Sequence, residues 1–440
     1  MGAKRLSNDT AGILFQDRRK FYLRENVTKE LWPTVAPFTT IISNKGISGG
    51  LPDPEYKMFE HRSGFIDQSF AIDGAPGVWV GGGTPGALTT TATPIDGVKG
   101  FGTGDLAHLI GLVFEAYSSA GVYKGVVSVH NVAGSDITYR SLGNPRAANN
   151  TIAALADNDR LECIGSAIGE GEVSPEPHHD DLTMVWNSCQ IFRTPVEVTG
   201  TLYTASLRGY SKELARLRKE KSKEHKMQKE RAFLHGQRAP GFGSGGAGGD
   251  DAGTHTKNKD GKTVRTTMGL ISAIYRYGTT SGDDQGVFTP SKAAYTYANF
   301  IDDTEKVFHY IPNSGFKTAI CGPGAYSFFS KAAANGFHKS TVQLSLSDLK
   351  MDKLKFHFRW IETPHGMLKL IVSPALRGRY TDHMVIFDED LLDYKQYRPM
   401  YYATNIKTEN NYDGVKDEYF SDEGIGIQLI ESHKLFVFGA

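Results

Sequence analysis

The sequence predicts an α+β chain, and three observations carry that expectation. One charged helical segment, Ser206–His235, runs without a proline. Alternating apolar runs stand on both sides of it, and glycine-rich stretches separate the pieces. The chain has 440 residues, room for roughly two to four compact units. With 39% hydrophobic and 22% charged residues it has the composition of a folded protein, not a disordered one. Its 49 glycines exceed the usual ~7%, which predicts many turns and open loops.

Residues 1–60 read as an extended N-terminal arm. Periodicity is weak up to Gly50, Pro33 and Pro37 interrupt it, and only Phe15–Leu23 has the pattern of a short helix. From Leu51 to Asp180 the chain is rich in Gly, Thr and Pro. Strand-like runs occur at Val78–Val80, Leu109–Phe114 and Gly125–Val129, and Gly81-Gly82-Gly83-Thr84-Pro85-Gly86 reads as a loop.

Gln190–Tyr203 alternates, with Val196, Val198 and Leu202 on one side and Glu197, Thr199 and Thr201 on the other. That pattern is a half-buried strand. It leads into Ser206–His235, a helix that would be about 45 Å long. The apolar stripe of Leu207, Tyr210, Leu214, Leu217, Met227 and Leu234 is narrow, so the helix is expected to lie along a surface. Glu213 can pair with Arg216, and Lys226 with Glu230, along it. Gly236–Thr263 follows as a glycine loop. Helices are then expected over Thr267–Tyr277, Ser291–Phe300 and Pro323–Ala334. Strands are expected over Lys353–Trp360, Met367–Val372, Met384–Phe387 and Lys434–Phe438.

The 49 Lys and Arg balance the 49 Asp and Glu, which argues against a dedicated nucleic-acid-binding protein. The balance conceals segregation. Arg208–Arg231 has ten basic and four acidic residues, a net of +6. Thr151–Gln190 has eight acidic residues against Arg160, a net of −7. Leu376–Ala440 has twelve acidic and seven basic, a net of −5. Opposed segments in one chain imply pairing within it or between copies. Cys163, Cys189 and Cys321 form no C-x-x-C pair and suit a reducing compartment. Met1–Lys20 lacks a signal-peptide core, and no apolar run approaches the ~18 residues of a membrane span, so a soluble protein made in a cytoplasm is expected.

Motifs for catalysis fail one by one. Gly261-Lys262-Thr263 ends like a phosphate-binding loop, but Thr256 stands where the first glycine belongs. His178-His179-Asp180-Asp181, near Glu172 and Glu176, has metal-ligand residue types. Adjacent strand residues point to opposite faces, however, so a solvated acidic loop is the plainer reading. There is no H-E-x-x-H and no G-x-S-x-G. No catalytic, cofactor or metal residue is assigned; a metal-dependent enzyme on His178–Asp181 is the alternative from another class. The basic stretch Arg208–Arg231 carries a single aromatic, Tyr210, where strand readers interleave several. A charged outer face is the plainer reading, and weak contact with phosphates is compatible with it.

Asn187-Ser188-Cys189-Gln190-Ile191-Phe192-Arg193, followed by Val196-Glu197-Val198-Thr199-Gly200, is similar to the strand that enters the long helix in one phage major-head-protein family. There an Asn-x-x-Gln-Ile-Phe-Arg run precedes Val-Glu-Val-Ser-Gly; Thr199 replaces the Ser. Glu213-Leu214-Ala215, Glu224-His225-Lys226 and Ala232-Phe233-Leu234 look like that family's helix. Thr267-Met268-Gly269-Leu270, Met384–Asp388, Tyr397-Arg398-Pro399 and the final strand up to Gly439 are similar too. The chain therefore resembles the major capsid proteins of tailed double-stranded-DNA bacteriophages over roughly residues 185–280 and 380–440. The likeness is thin over 1–60 and absent from 61–180, where a larger insertion is expected.

The resemblance implies the Johnson fold, shared with encapsulins. It implies an arm over 1–60 and an E-loop region with a β-rich insertion over 61–188. A peripheral domain with the spine helix and glycine loop would span 189–265, an axial domain 266–380, and a return to the peripheral domain 381–440. It implies a structural protein, not an enzyme, assembling as hexamers and pentamers into an icosahedral shell around double-stranded DNA. Portal, scaffold and decoration proteins are the further partners it implies, with no membrane. The location would be the virion capsid, after synthesis in the host bacterial cytoplasm. An encapsulin-like compartment shell would share the fold without the genome. Arg216, Lys219, Lys223, Lys226, Arg193 and Glu197 are expected to face neighbouring copies or DNA, and charge pairing is expected to register the copies.

Overall fold

In the computed structural model of the chain, the residues described are 36–61, 69–72, 88–91, 95–96, 109–133, 136–153, 155, 159–171, 182–204, 213–238, 258–278, 285–310, 315–335, 350–351, 357–406 and 413–439. They fall into two units, one within 36–58 and 185–439, the other within 59–184. Helices and sheets both contribute, so the α+β class is as expected. Phe15–Leu23, Val78–Val80, Gly81–Gly86 and His178–Asp181 lie outside the described residues.

The first unit is organised on strand His383–Phe387. Met384 and Ile386 enter one hydrophobic cluster, Val385 and Phe387 another, so both faces of the strand are covered. This is why the sequence reads Met-Val-Ile-Phe without a polar residue. The strand lies between Phe316–Cys321 and Lys434–Val437 in a seven-stranded mixed sheet. Phe316–Cys321 runs parallel to Gly366–Val372 and antiparallel to His383–Phe387. On one face pack the helices Tyr297–Val307 and Pro323–Asn335, through Phe300, Val307, Ala325 and Phe329. On the other pack Leu270–Tyr277 and the end of the long helix, through Leu270, Ile274, Phe233 and Leu234. Each such buried side chain stabilises by about 1.5–3 kcal/mol.

A four-stranded sheet completes this unit, in the order Ile47–Gly49, Leu392–Ala403, Gly414–Ile427, Gln190–Thr199. Gln190–Thr199 pairs antiparallel with Gly414–Ile427 from Gln190↔Glu423 to Thr199↔Gly414. The long helix is described over Glu213–His235, 23 residues and about 35 Å; 206–212 lie outside the described residues. Its C-terminal half keeps an exposed face, with Glu224, Lys226, Gln228 and Arg231 open to solvent, but its other face is buried more deeply than expected. His225, Glu230, Phe233 and Leu234 are fully buried, because polar residues share the buried face with the narrow apolar stripe.

Four boundaries differ from the sequence reading. Pro37–Lys45 is a helix, not extended arm, with Pro37 pre-set in its first turn and Phe38 buried edge-on against Phe387. The helix expected at Ser291–Phe300 is Tyr297–Val307, because Thr296 and Asn299 form a capping box that sets its start. The strand expected at Lys353–Trp360 is His357–Thr363, with 352–356 outside the described residues. Gln190–Tyr203 is strand only to Thr199; Gly200–Thr204 is a helical turn.

Gly269 shows why Thr267-Met268-Gly269-Leu270 takes that form. A Cβ there would lie 2.7 Å from Leu234 C and 2.7 Å from Gly236 N. Only glycine lets the helix Leu270–Tyr277 begin against the end of the long helix, where Gly269 N–H donates to Gly236 O at 2.8 Å.

The second unit is a seven-stranded antiparallel sheet with Leu112–Tyr117 and Tyr123–Ala133 near its centre. Leu112, Phe114 and Ala116 alternate inward and meet Val127, Val129, Tyr139 and Leu161 in its core.

Candidate functional site

The two opposed charge segments of the sequence meet inside the first unit. On strand Gly414–Ile427, Asp417, Ser421 and Glu423 alternate toward the long helix, opposite Val196, Phe192 and Gln190. The helix supplies Arg218, His225 and Lys229 at spacings that keep them on one side. The result is a buried polar seam.

Asp417 is fully buried and takes four donors. Arg218 Nε and Nη2 reach Oδ2 at 2.9 and 2.6 Å, Tyr402 Oη also donates to Oδ2, and Asn405 N–H reaches Oδ1 at 2.8 Å. Burial pushes the carboxyl upward, but these bonds outweigh it and hold Asp417 below its ordinary value. Glu423 sits 2.8 Å from Lys229 Nζ and accepts from Tyr394 Oη at 2.6 Å and Gln396 Nε2 at 3.3 Å. Between these pairs lies His225, with Nδ1 at 2.9 Å from Thr194 Oγ1 and Nε2 at 2.9 Å from Ser421 Oγ. A neutral imidazole offers one donor and one acceptor, and two hydroxyls satisfy both. Burial, helped by the nearby Lys229, pushes His225 down to about 4.

Glu230 turns away from this seam. It accepts from Phe38 N at 3.0 Å and from Thr39 N and Oγ1, each at 2.7 Å, so it caps the helix Pro37–Lys45, whose own N-cap Ala36 has no side-chain bond. It therefore does not pair with Lys226 as the spacing suggested. Arg216 pairs with Glu220; the Glu213 side chain lies outside the described residues. The other side of the sheet is also charged. Asp422 accepts from Arg398 at 3.0 Å and Arg265 at 3.3 Å, while the Arg398 and Arg193 guanidiniums cover Phe420 at 4.3 and 5.2 Å.

The family-like motif residues turn out to be ties between segments. Buried Asn187 uses all its capacity: Oδ1 accepts from Ser188 N and Met268 N at 2.9 Å, and Nδ2 donates to Met268 O at 3.1 Å and Ile425 O at 2.8 Å. Gln190 Oε1 accepts from Thr267 N at 3.3 Å. Phe192 packs edge-on against Phe233 and His225.

The six residues expected to face partners do not form one cluster. Arg216, Lys219, Lys223 and Lys226 are on the helix, with Lys219 and Lys226 exposed. Arg193 and Glu197 alternate to the sheet face opposite the helix, Arg193 being 62% exposed and 3.6 Å from Glu418. Sequence reading missed Asp417, Asp422, Glu423, His225 and Glu230 as a constellation. The available signal was the charge opposition of the two segments, which pair within the chain here. The His178–Asp181 cluster lies outside the described residues. Among the described residues no group of three or more His, Cys, Asp or Glu could hold a metal ion, and no helix is long and apolar enough to cross a membrane. Cys189 and Cys321 are free and buried, and burial pushes the Cys189 thiol up to about 12.

Two predictions follow from the seam. Lys229→Ala leaves Glu423 buried without its cation and should destabilise the unassembled chain by about 3–5 kcal/mol in urea unfolding. The pair Lys229→Met, Glu423→Gln should lose less than half of that; a double variant as unstable as Lys229→Ala would refute the ion-pair account. The second concerns acid. His225 is held neutral when folded, at about 4, whereas the unfolded chain protonates it near ~6.5. The unfolded state thus gains protons first, and this contribution to stability falls as pH drops from ~6.5 to ~4. Relative to His225→Gln, the native chain should lose stability across that window and stay level above it. A difference that is the same at both ends would show that His225 is not buried neutral.

A match to the SU10 major capsid protein family spans residues 51–415, and so runs through the second unit as well as the first. Among curated proteins there is no match. Solved structures with related folds include a virus-like particle from Pyrococcus furiosus at 10% identity, covering 59% of this chain and 82% of that one, with a TM-score of 0.33. The capsid of cyanophage P-SCSP1u aligns at 8% identity over 62% of this chain and 80% of its own, TM-score 0.39. Mycobacterium phage Che8 gives 9% identity, 59% and 76% coverage, and a TM-score of 0.36. Likenesses this distant carry no weight here. The family match does, since it takes in most of the sequence: this chain belongs to the SU10 major capsid protein family.

Proposed function

We propose that this shell-forming chain assembles as hexamers and pentamers into an icosahedral phage head enclosing double-stranded DNA. The family match over 51–415 carries the reading. Its role is structural, without chemistry of its own. The unit within 59–184 is the E-loop excursion with its β-rich insertion, reaching between copies. The chain is synthesised in the cytoplasm of a bacterial host and ends in the virion capsid, with portal, scaffold and decoration proteins as further partners.

The internal seam supports a division of labour among charges. Arg218, Lys229, Arg265 and Arg398 are occupied by carboxylates of their own chain. Lys219 and Lys226 on the helix remain exposed, as do Glu162 and Glu170 in the second unit. Arg216, Lys219, Lys223, Lys226, Arg193 and Glu197 serve neighbouring copies or packaged DNA in this reading. DNA contact of that kind is independent of sequence and weakened by salt.

Electron microscopy of the expressed full chain is the test, and closed shells, tubes or sheets are expected. Small discrete oligomers under every condition would sink the assignment. Assembly followed by light scattering should weaken as ionic strength rises, since exposed charges are screened over about 8–10 Å near physiological salt. The double reversal Lys219→Glu, Lys226→Glu should slow assembly while shifting subunit stability by less than about 0.5 kcal/mol. Unchanged assembly of that variant would remove these two lysines from the contact.

A further inference from the structure

The first unit carries a cleft that neither the seam nor shell formation explains. It lies between strand Val287–Phe288 with its following turn and the helix Tyr297–Val307, with a volume of about 430 Å³. That is the size of a small-molecule site. Its floor is aromatic. Phe288 stacks on Phe436 with ring centres 4.5 Å apart, and Tyr295 stands edge-on to Phe438 at 5.9 Å.

One wall is the helix. Asn299, Asp302 and Asp303 recur at three- and four-residue spacing and so share one side, all three lining the cleft. The capping box at Thr296 and Asn299 fixes where the helix begins, and with it the position of both carboxylates. Tyr295 Oη donates to Asp303 Oδ2 at 2.6 Å, holding the half-buried carboxylate at the hydroxyl edge of the ring. Among the described residues neither Asp302 nor Asp303 has a cation within ion-pair distance; the nearby Lys306 Nζ is directed to Gln285 Oε1 at 3.5 Å. Burial raises Asp303 above the ordinary carboxylate range, Asp302 adds to the rise, and the Tyr295 bond and Lys306 oppose it. A half-buried carboxylate beside a second, exposed one, at the edge of an aromatic floor and with no cation within ion-pair distance among the described residues, can take a further positive charge.

The geometry points to a site for an organic cation: a primary alkylammonium or guanidinium group, its apolar stem against Phe288 and Tyr295 and its charge on Asp302 and Asp303. Aromatic faces attract such cations, and long alkyl stems bury readily while the head keeps its hydrogen bonds. A hard metal ion fits less well, because it demands six or more oxygen ligands and gains nothing from an aromatic floor. The chemistry is shared by two sources, a free alkylammonium compound in solution and a Lys or Arg side chain of a second copy of this chain.

The inference goes beyond the shell reading and does not depend on it, since the unassembled chain carries the whole cleft. The probes are n-butylammonium and ethylguanidinium, with n-butanol as the neutral counterpart, titrated against the full unassembled chain by saturation-transfer NMR. Both cations should bind and n-butanol should not. The variant Asp302→Asn, Asp303→Asn should weaken cation binding about tenfold or more. Absence of cation binding, equal binding of butanol, or equal binding by the variant would overturn the proposal. The butanol comparison on the native chain decides the matter even where the variant fails to fold. Assembled shells separate the sources: a cleft closed to the probes there is filled by a neighbour's side chain, and one still open takes its cation from solution.

Discussion

Carboxylates without contact to water are costly unless each meets a cation and enough donors, and strand Gly414–Ile427 carries Asp417, Asp422 and Glu423 in that condition. The neighbouring elements are set by the need to neutralise them. Arg218 and Lys229 come from the long helix, Arg398 from the adjoining strand and Arg265 from the segment that follows the glycine loop. Hydrophobic burial is non-directional and tolerates sliding of a helix over a sheet. Two charge pairs eleven helix positions apart do not, because a one-residue slip rotates both cations away from their carboxylates. Buried pairs add little net stability over apolar packing, so what the seam contributes is position.

Position is handed on from there. Once Lys229 lies on Glu423, the next residue, Glu230, points to the other side of the helix, where it caps Pro37–Lys45. Phe233 and Leu234 follow into the core, and Gly236 meets Gly269 closely enough to start the next helix. Asn187 and Gln190 fasten the same segment from the sheet side. A single stretch of helix thus sets the arm, the first sheet and the entry to the second.

Elements built on local rules were readable in the sequence. Pro323–Asn335 and Gly366–Val372 follow apolar spacing and turn residues, and both lie within a residue or so of where those signals place them. The elements that were not readable depend on distant partners. Gly414–Ile427, 14 residues long, shows no apolar alternation because it buries Asp417, Ser421, Asp422 and Glu423 against cations brought from elsewhere. The helix Pro37–Lys45 has no local cap, its donors being met by a carboxylate some 190 residues further on. The long helix looked like a surface element because hydropathy alone scores His225, Lys229 and Glu230 as outward-facing. The charge opposition of the two segments was visible; that it closes inside one chain was not, since spacing along a sequence carries no register between a helix and a strand.

That closure bears on how a shell subunit is made. Copies in a closed shell occupy environments that are not equivalent, so contacts between them must vary while the body of each stays the same. Charges paired inside the body at near-zero exposure are little affected by salt or by which neighbour is present, whereas pairs such as Arg193 with Glu418, whose arginine is mostly open to water, are worth little and are readily exchanged. The neutral total of the sequence therefore has two parts with different duties. Its buried part holds the helix and sheets to one arrangement in every copy. Its exposed part, weakly held, can meet whatever lies beside it.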